Sequence, residues 1–225
     1  AYEITTRLVC SEMCIRDRLY VAPGNGGTAS IAQNVKNLAA EEGDAVLSFA
    51  KDHEIGLVVV GPEAPLVAGV ADVVRAAGIP IFGPDAQGAQ LEGSKTYSKE
   101  FMDANGIPTA RYASFTDEAQ ARAYCEELGA PLVVKADGLA AGKGVIVAET
   151  LEVALDAVKE CFQGAFGEAG NRVVIEEMLK GPECSLLAFV SKGKAFCMAP
   201  AQDHKRAYDL SLIHISEPTR RVVIS

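Results

Sequence analysis

Between Val134 and Val145 the chain reads VKADGLAAGKGV, and no other stretch limits the fold as much. Apolar β-branched residues flank the segment on both sides, which predicts strand, loop, strand over Leu132 to Lys135 and Val145 to Ala148. The loop holds Gly138, Gly142 and Gly144 with small alanines between them. Residues without bulk let backbone N–H groups approach an anion closely, and Lys135 and Lys143 add charge. A hairpin tip with solvated lysines is the alternative. Lys135 argues against it, because it sits inside the apolar strand, where an unpaired charge is costly. The loop is not a Walker A motif. That motif needs G-x4-G-K-[ST] opening a helix. Here the spacing is G-x3-G-K, Gly144 stands at the hydroxyl position, and a strand follows.

Around this loop the pattern is mixed α+β. Helices are expected over 94–105, ending at Asn105-Gly106, over Asp117 to Leu128 with Gly129 behind it, and over Leu151 to Phe162. Arg172 to Met178 reads as a strand. Leu186 to Val190 and Ala195 to Met198 flank Ser191-Lys192-Gly193-Lys194, a hairpin signature. The strand VVIEEML at 173–179 ends in acids and a turn with Glu183. Such an end suits either an adenine edge with Glu183 on a ribose, or a plain solvated strand end.

Upstream the order changes. Leu19 to Ala22 ends a short strand, stopped by Pro23-Gly24-Asn25-Gly26-Gly27. Residues 44–53 read as a helix with Asp44 as its N-cap. Ile55 to Val60 is an unbroken apolar run, which predicts a strand buried on both faces of a parallel sheet. Pro65 to Ala77 reads as one helix and Ile79 to Phe82 as a strand. This βαβα alternation predicts a doubly wound sheet with ligands at the strand carboxyl ends. Gly24 to Ala29 spells G-x-G-x-x-A, a poor dinucleotide fingerprint because no helix starts right after it.

Hydrophobic residues make up 49% of the 225 and the net charge is −9, so a packed core is expected and a general nucleic-acid binder is not. No apolar run reaches eighteen residues, so no membrane span is expected. The six cysteines form no C-x-x-C pair, which suits reduced thiols in a cytoplasmic protein. Residues 1–18, including SEMCIRDR, and 210–225, including LIHISEPTR, resemble translated sequencing-adapter text and are expected to carry no chemistry.

The wording of the rest resembles glycinamide ribonucleotide synthetase, an ATP-grasp ligase family. The resemblance rests on PGNGGTA at 23–29, VVVGPEAPLVAGV at 58–70, IFGPDAQGAQLEGSKTYSKEFM at 81–102, VVKADGLAAGKGVIVA at 133–148, VVIEEML at 173–179 and AQDHKRAYD at 201–209. It implies α/β architecture: a truncated, doubly wound parallel-sheet domain for substrate at 19–93, then a partial ATP-grasp (α+β) domain at 94–209. It implies ligation of glycine to 5-phosphoribosylamine with ATP and Mg2+ (or Mn2+), without nucleic-acid or membrane partners, by a protein expected to be monomeric. The alternatives are another ATP-grasp carboxylate–amine ligase and a non-catalytic nucleotide-binding fragment.

Roles follow from the same resemblance. Lys95 and Lys135 would contact ATP phosphates, and Gly142, Lys143 and Gly144 would close over them. Glu176, Glu177 and Leu179 would frame adenine, and Glu183 would hold ribose. Gly24, Asn25, Pro62 and Glu63 would face phosphoribosylamine, together with Asp203 and His204. Lys143, Lys205 and Arg206 would act in catalysis. Three segments of the family's pattern are absent: an initial G-x-G-G-R-E-H loop, a GPNTGGMGAY-type segment, and the later strand with Glu and Asn magnesium ligands. No metal ligands are therefore assigned, and the chain alone is expected not to turn over.

Overall fold

The computed structural model describes residues 18–138, 144–181 and 183–202. It contains two compact units, the first ending at Ala86 and the second starting at Gln87.

The first unit is α/β with parallel pairing. Strand β1 (Tyr20–Val21) pairs with β2 (Gln33–Asn34), and β3 (Val58–Val59) with β4 (Ile81–Phe82), both in parallel. Helix α1 (Gly43–Asp52) precedes β3, and α2 (Glu63–Val67) and α3 (Val70–Ala76) follow it. Three expectations change here. The helix foreseen over Pro65 to Ala77 is broken at Gly69, which adopts φ +84 and serves as the N-cap of α3. That left-handed conformation is cheap only for glycine. Asp44 lies in the first turn of α1, and Glu42 holds the cap position without a side-chain bond. The run Ile55 to Val60 contributes only two strand residues, and Leu57 and Val59 are exposed. Among the described residues the strand pairs along a single edge, and Leu57 and Val59 are not covered.

The second unit opens with α4 (Ala86–Gly93, its first residue closing the first unit), which the sequence reading does not anticipate, and α5 (Lys95–Ala104). Strands β5 (Tyr112–Phe115), β6 (Leu132–Ala136), β7 (Val145–Ala148) and β8 (Val173–Glu177) form an antiparallel sheet in the order β5-β8-β6-β7. Helices α6 (Glu118–Leu128) and α7 (Leu151–Phe162) cover one face. The side-chain period of two sends Leu132, Val134 and Ala136 into that core with Val173 and Ile175, against Ala121, Cys125, Ala154, Val158 and Cys161. Burial pushes the Cys125 and Cys161 thiols up to about 11, so both are inert apolar filling. Strands β9 (Ala188–Ser191) and β10 (Lys194–Cys197) make an antiparallel hairpin. Its turn residues Lys192 and Gly193 have φ 50 and 71, as a primed turn requires.

The caps explain where the helices start. Asp117 accepts from Gln120 N for α6, and Thr150 accepts from Val153 N for α7. Behind α7 a 3-10 turn (Gly167–Asn171) folds back on the helix, and a Cβ on Gly170 would overlap the Cys161 carbonyl oxygen. Backbone cannot step aside as a side-chain tip does. Gly170→Ala is therefore expected to cost about 2 kcal/mol, read as a lower urea midpoint at unchanged m-value.

Candidate functional site

The sheet face opposite the α6–α7 core carries the polar residues. Lys135 on β6 pairs with Val174 of β8 and Val145 of β7, and Glu176 on β8 stands opposite both Val133 and Tyr112. Alternation places all of them on the non-core side. Lys135 Nζ lies 2.7 Å from Glu176 Oε1, and Lys99 Nζ from α5 lies 2.9 Å from Glu176 Oε2. Lys99 also donates to Thr109 Oγ1 at 2.7 Å and stands 5.3 Å from the centre of the Tyr112 ring. Glu176 and Lys99 side chains are 7% and 8% exposed, whereas Lys135 is 26% exposed. Two cations thus share one carboxylate, and only Lys135 reaches outward. Beside it Val145 and Val147 of β7 are 45% and 52% exposed, leaving an apolar strip next to a lysine.

The root of the glycine loop is tied to α5. Asp137 Oδ1 accepts from Lys95 N at 2.5 Å, Thr96 N at 3.1 Å and Gly138 N at 3.1 Å. Ser94 Oγ donates to the Asp137 carboxylate at 3.2 Å. A carboxylate on the N-terminal amides of a helix answers both the orphan donors and the dipole. Lys95 Nζ donates to the Gly138 carbonyl at 2.9 Å. Burial holds the Lys95 ammonium below its ordinary 10.5, with Asp137 acting in opposition and the Lys135 charge adding to the lowering. Lys95 of α5 and Lys135 of β6 thus stand within electrostatic reach of each other. Ala136 N donates to the Gly144 carbonyl at 2.8 Å, which closes the β6–β7 hairpin at its base. An open cleft of roughly 520 Å³ adjoins this root, lined by Ser94, Thr116, Asp137, Gly138, Ala169 and Arg172 among others.

The remaining candidates fall as follows. Glu177 Oε1 accepts from Arg111 N at 2.9 Å, and Glu177 N donates to Arg111 O at 3.0 Å. Leu179 and Glu183 are exposed beyond the end of β8. In the first unit, Asn25 Oδ1 accepts from Gly27 N and Thr28 N at 2.8 and 3.0 Å, and Asn34 Nδ2 donates to Asn25 O at 2.7 Å. Gly24 adopts φ +75 there, where a Cβ would overlap Asn34. Pro62 and Glu63 form the entry to α2. Gly142, Lys143, Asp203, His204, Lys205 and Arg206 lie outside the described residues. The sequence reading passes over Lys99, Asp137, Asn34 and the Val145–Val147 strip. Asp137 alone left a signal, standing at the strand-to-loop junction beside Gly138.

An antiparallel sheet backed by two helices, with a glycine-rich hairpin whose root is tied to the N-terminus of α5, is the ATP-grasp arrangement. Comparison with known proteins narrows the class. The N domain of phosphoribosylglycinamide synthetase matches residues 4–92, and its ATP-grasp (A) domain matches 93–211. The chain belongs to the phosphoribosylglycinamide synthetase family. It is 56% identical over 196 residues to a phosphoribosylamine–glycine ligase of Vibrio cholerae, covering 86% of this chain and 46% of that relative. A ligase of the same name from Yersinia pestis is 53% identical over 198 residues, covering 87% and 46%. The crystal structure of phosphoribosylamine–glycine ligase from Thermotoga maritima superposes with a TM-score of 0.67 at 29% identity, covering 84% of this chain and 45% of that one. The chain thus spans less than half the length of the curated relatives it matches.

Proposed function

We propose that this chain contributes the N-terminal substrate region and the nucleotide clamp of an ATP-dependent carbon–nitrogen ligase that joins glycine to 5-phosphoribosylamine, giving glycinamide ribonucleotide, ADP and phosphate. Lys95 and Lys135, within electrostatic reach of each other at the root of the glycine hairpin, carry the reading. A triphosphate needs cations that the protein has not already neutralised. Three lysines (Lys95, Lys99, Lys135) stand here with the acids Glu176, Asp137 and Glu92, and the Asp137 carboxylate is held by the α5 amides, so Lys95 and Lys135 keep ammonium groups that a polyanion can engage. These residues fit ATP. When bound, ATP supplies the γ-phosphoryl group that activates a carboxylate toward an amine.

In this reading Lys95 and Lys135 hold phosphates, and Gly142, Lys143 and Gly144 close over them. The Val145–Val147 strip of β7 offers an apolar wall to adenine, one strand removed from the end of β8, where Glu176, Glu177 and Leu179 stand and Glu183 follows. Gly24, Asn25, Pro62 and Glu63 serve phosphoribosylamine, with Asp203 and His204. Lys205 and Arg206 assist the transfer. Asn25 would reach a ligand through its Nδ2, since its Oδ1 is bonded within the loop. Among the described residues no three His, Cys, Asp or Glu side chains gather as metal ligands, and no step here runs through magnesium. No helix among the described residues is long and apolar enough to cross a membrane. We place the protein in the cytoplasm as a monomer.

Calorimetric titration of the whole chain with MgATP tests the proposal. Saturable binding is expected, weakened at least about tenfold in Lys135→Ala/Lys143→Ala by loss of two charge-assisted contacts. A folded chain that binds no MgATP overturns it. The pH dependence is set by Lys95. Its ammonium is the binding form, and its value in the free protein is lowered below 10.5. MgATP affinity should therefore fall as pH rises through that lowered value, because binding must then recover a proton. Lys95→Met should flatten the alkaline fall.

A further inference from the structure

We infer that Lys99 is a positioning residue for the phosphate site: it is the internal counter-ion of Glu176, and it leaves Lys135 with charge to spare for an incoming anion. The inference rests on the nucleotide-binding reading above. Three observations favour it. Lys99 is the deeper cation, 8% exposed against 26% for Lys135, and it is anchored a second time by Thr109. Glu176 Oε1 lies 2.7 Å from Lys135 but meets no donor in hydrogen-bonding geometry. Lys135 is the partly exposed partner of that contact, so an incoming anion can reach its ammonium. Finally, one carboxylate neutralises one ammonium, so the Lys99–Glu176–Lys135 cluster carries an excess positive charge. The excess sits on the partly exposed Lys135, where solvation is incomplete, and its neutralisation by an anion adds to anion binding.

Lys99 never touches the anion in this scheme. Without it, Lys135 becomes the only partner of Glu176, and the cluster reads as neutral from outside. Any phosphate must then compete with a buried carboxylate for the same ammonium. Lys99 also sits one helical turn after Lys95 on α5, so the helix that presents one phosphate lysine directly supplies the other's counter-ion balance.

The test uses inorganic triphosphate, which reads phosphate charge without adenine contacts, alongside MgATP. Calorimetry is run on the whole chain as wild type, Lys99→Met and Lys99→Met/Glu176→Gln. Lys99→Met is expected to weaken triphosphate binding roughly tenfold, the scale of one nearby charge at partial burial. Adding Glu176→Gln removes the inner pair whole, frees Lys135 again, and should restore triphosphate affinity, which involves no adenine contact, to within about threefold of wild type. A merely structural Lys99 predicts no such rescue. Unchanged binding in Lys99→Met, or a folded double variant that stays weak, overturns the inference and leaves the nucleotide reading standing. Wild type that binds neither probe overturns both. Should Lys99→Met fail to fold, the charge-balanced double variant decides alone: wild-type-like triphosphate binding supports the inference and its loss overturns it.

Discussion

Glu176→Ala should cost the second unit about 3 to 5 kcal/mol, the range for stranding a buried charge. The carboxylate is 7% exposed and holds Lys99 on one oxygen and Lys135 on the other. Truncation does not remove one interaction of ordinary size. It leaves Lys99 inside the protein with only a threonine hydroxyl and the Tyr112 ring for company. Lys135 suffers less, since it is partly exposed and can turn toward water. The loss should therefore trace to Lys99, and Lys99→Met on top of Glu176→Ala should recover a large part of it. Urea unfolding followed by circular dichroism reads both. Salt provides a second check, because screening acts on exposed charges and far less on buried ones. The loss should persist in 1 M NaCl. A cost below about 1 kcal/mol would mean that Lys99 escapes to solvent without its partner.

How much of this was readable in the sequence differs from element to element. Helix α7 was bounded to the residue at Leu151 to Phe162, and the structure shows why it starts there, with Thr150 as its cap. The β6–β7 hairpin followed from two β-branched runs around a glycine-rich loop. Lys135 followed from being a charge inside one of those runs, where something had to compensate it. What compensates it was not readable. Lys99 lies on an amphipathic helix in KTYSKEFM, where a lysine ordinarily points to water. Only the fold, by laying α5 beside β5 and β8, turns it inward. Apolar composition misled in one consistent way. Ile55 to Val60 read as a doubly buried strand, yet Leu57 and Val59 are exposed. Hydrophobicity states which surface a residue prefers, and the neighbouring elements decide whether that surface is covered. Gly69 shows the remaining kind of failure. Its left-handed φ breaks a run that is helical on both sides, and an isolated glycine in such a run is usually tolerated.

Asp137→Ala should cost about 3 kcal/mol and should also weaken MgATP binding, although the carboxylate is acidic and repels phosphate. Its weight comes from where the bonds go. The side chain accepts from Lys95 N and Thr96 N across a sequence separation of 42 and 41 residues, and from Ser94 Oγ. It therefore does the work of an N-cap for α5 from another strand, while Ser94 caps the same helix locally through Tyr97 N. Losing an N-cap costs about 1 kcal/mol. Stranding amides that were bonded to a charged acceptor adds about 1 to 3 more. The functional consequence follows from the same bonds. Asp137 is the pin between the strand that carries Lys135 and the helix that starts at Lys95. Without it the two ammonium groups are no longer held at one place, and the preorganisation that favours a polyanion is lost. Asp137→Asn separates the two effects, since the amide oxygen still accepts but without charge. It should keep roughly half of the stability and most of the geometry. MgATP binding in Asp137→Asn should therefore stay near wild type, while Asp137→Ala falls several-fold. Removal of a nearby negative charge acts oppositely, strengthening binding in both variants alike. Tighter binding in Asp137→Ala would show that the carboxylate acts on phosphate by repulsion and that the clamp contributes nothing to the site.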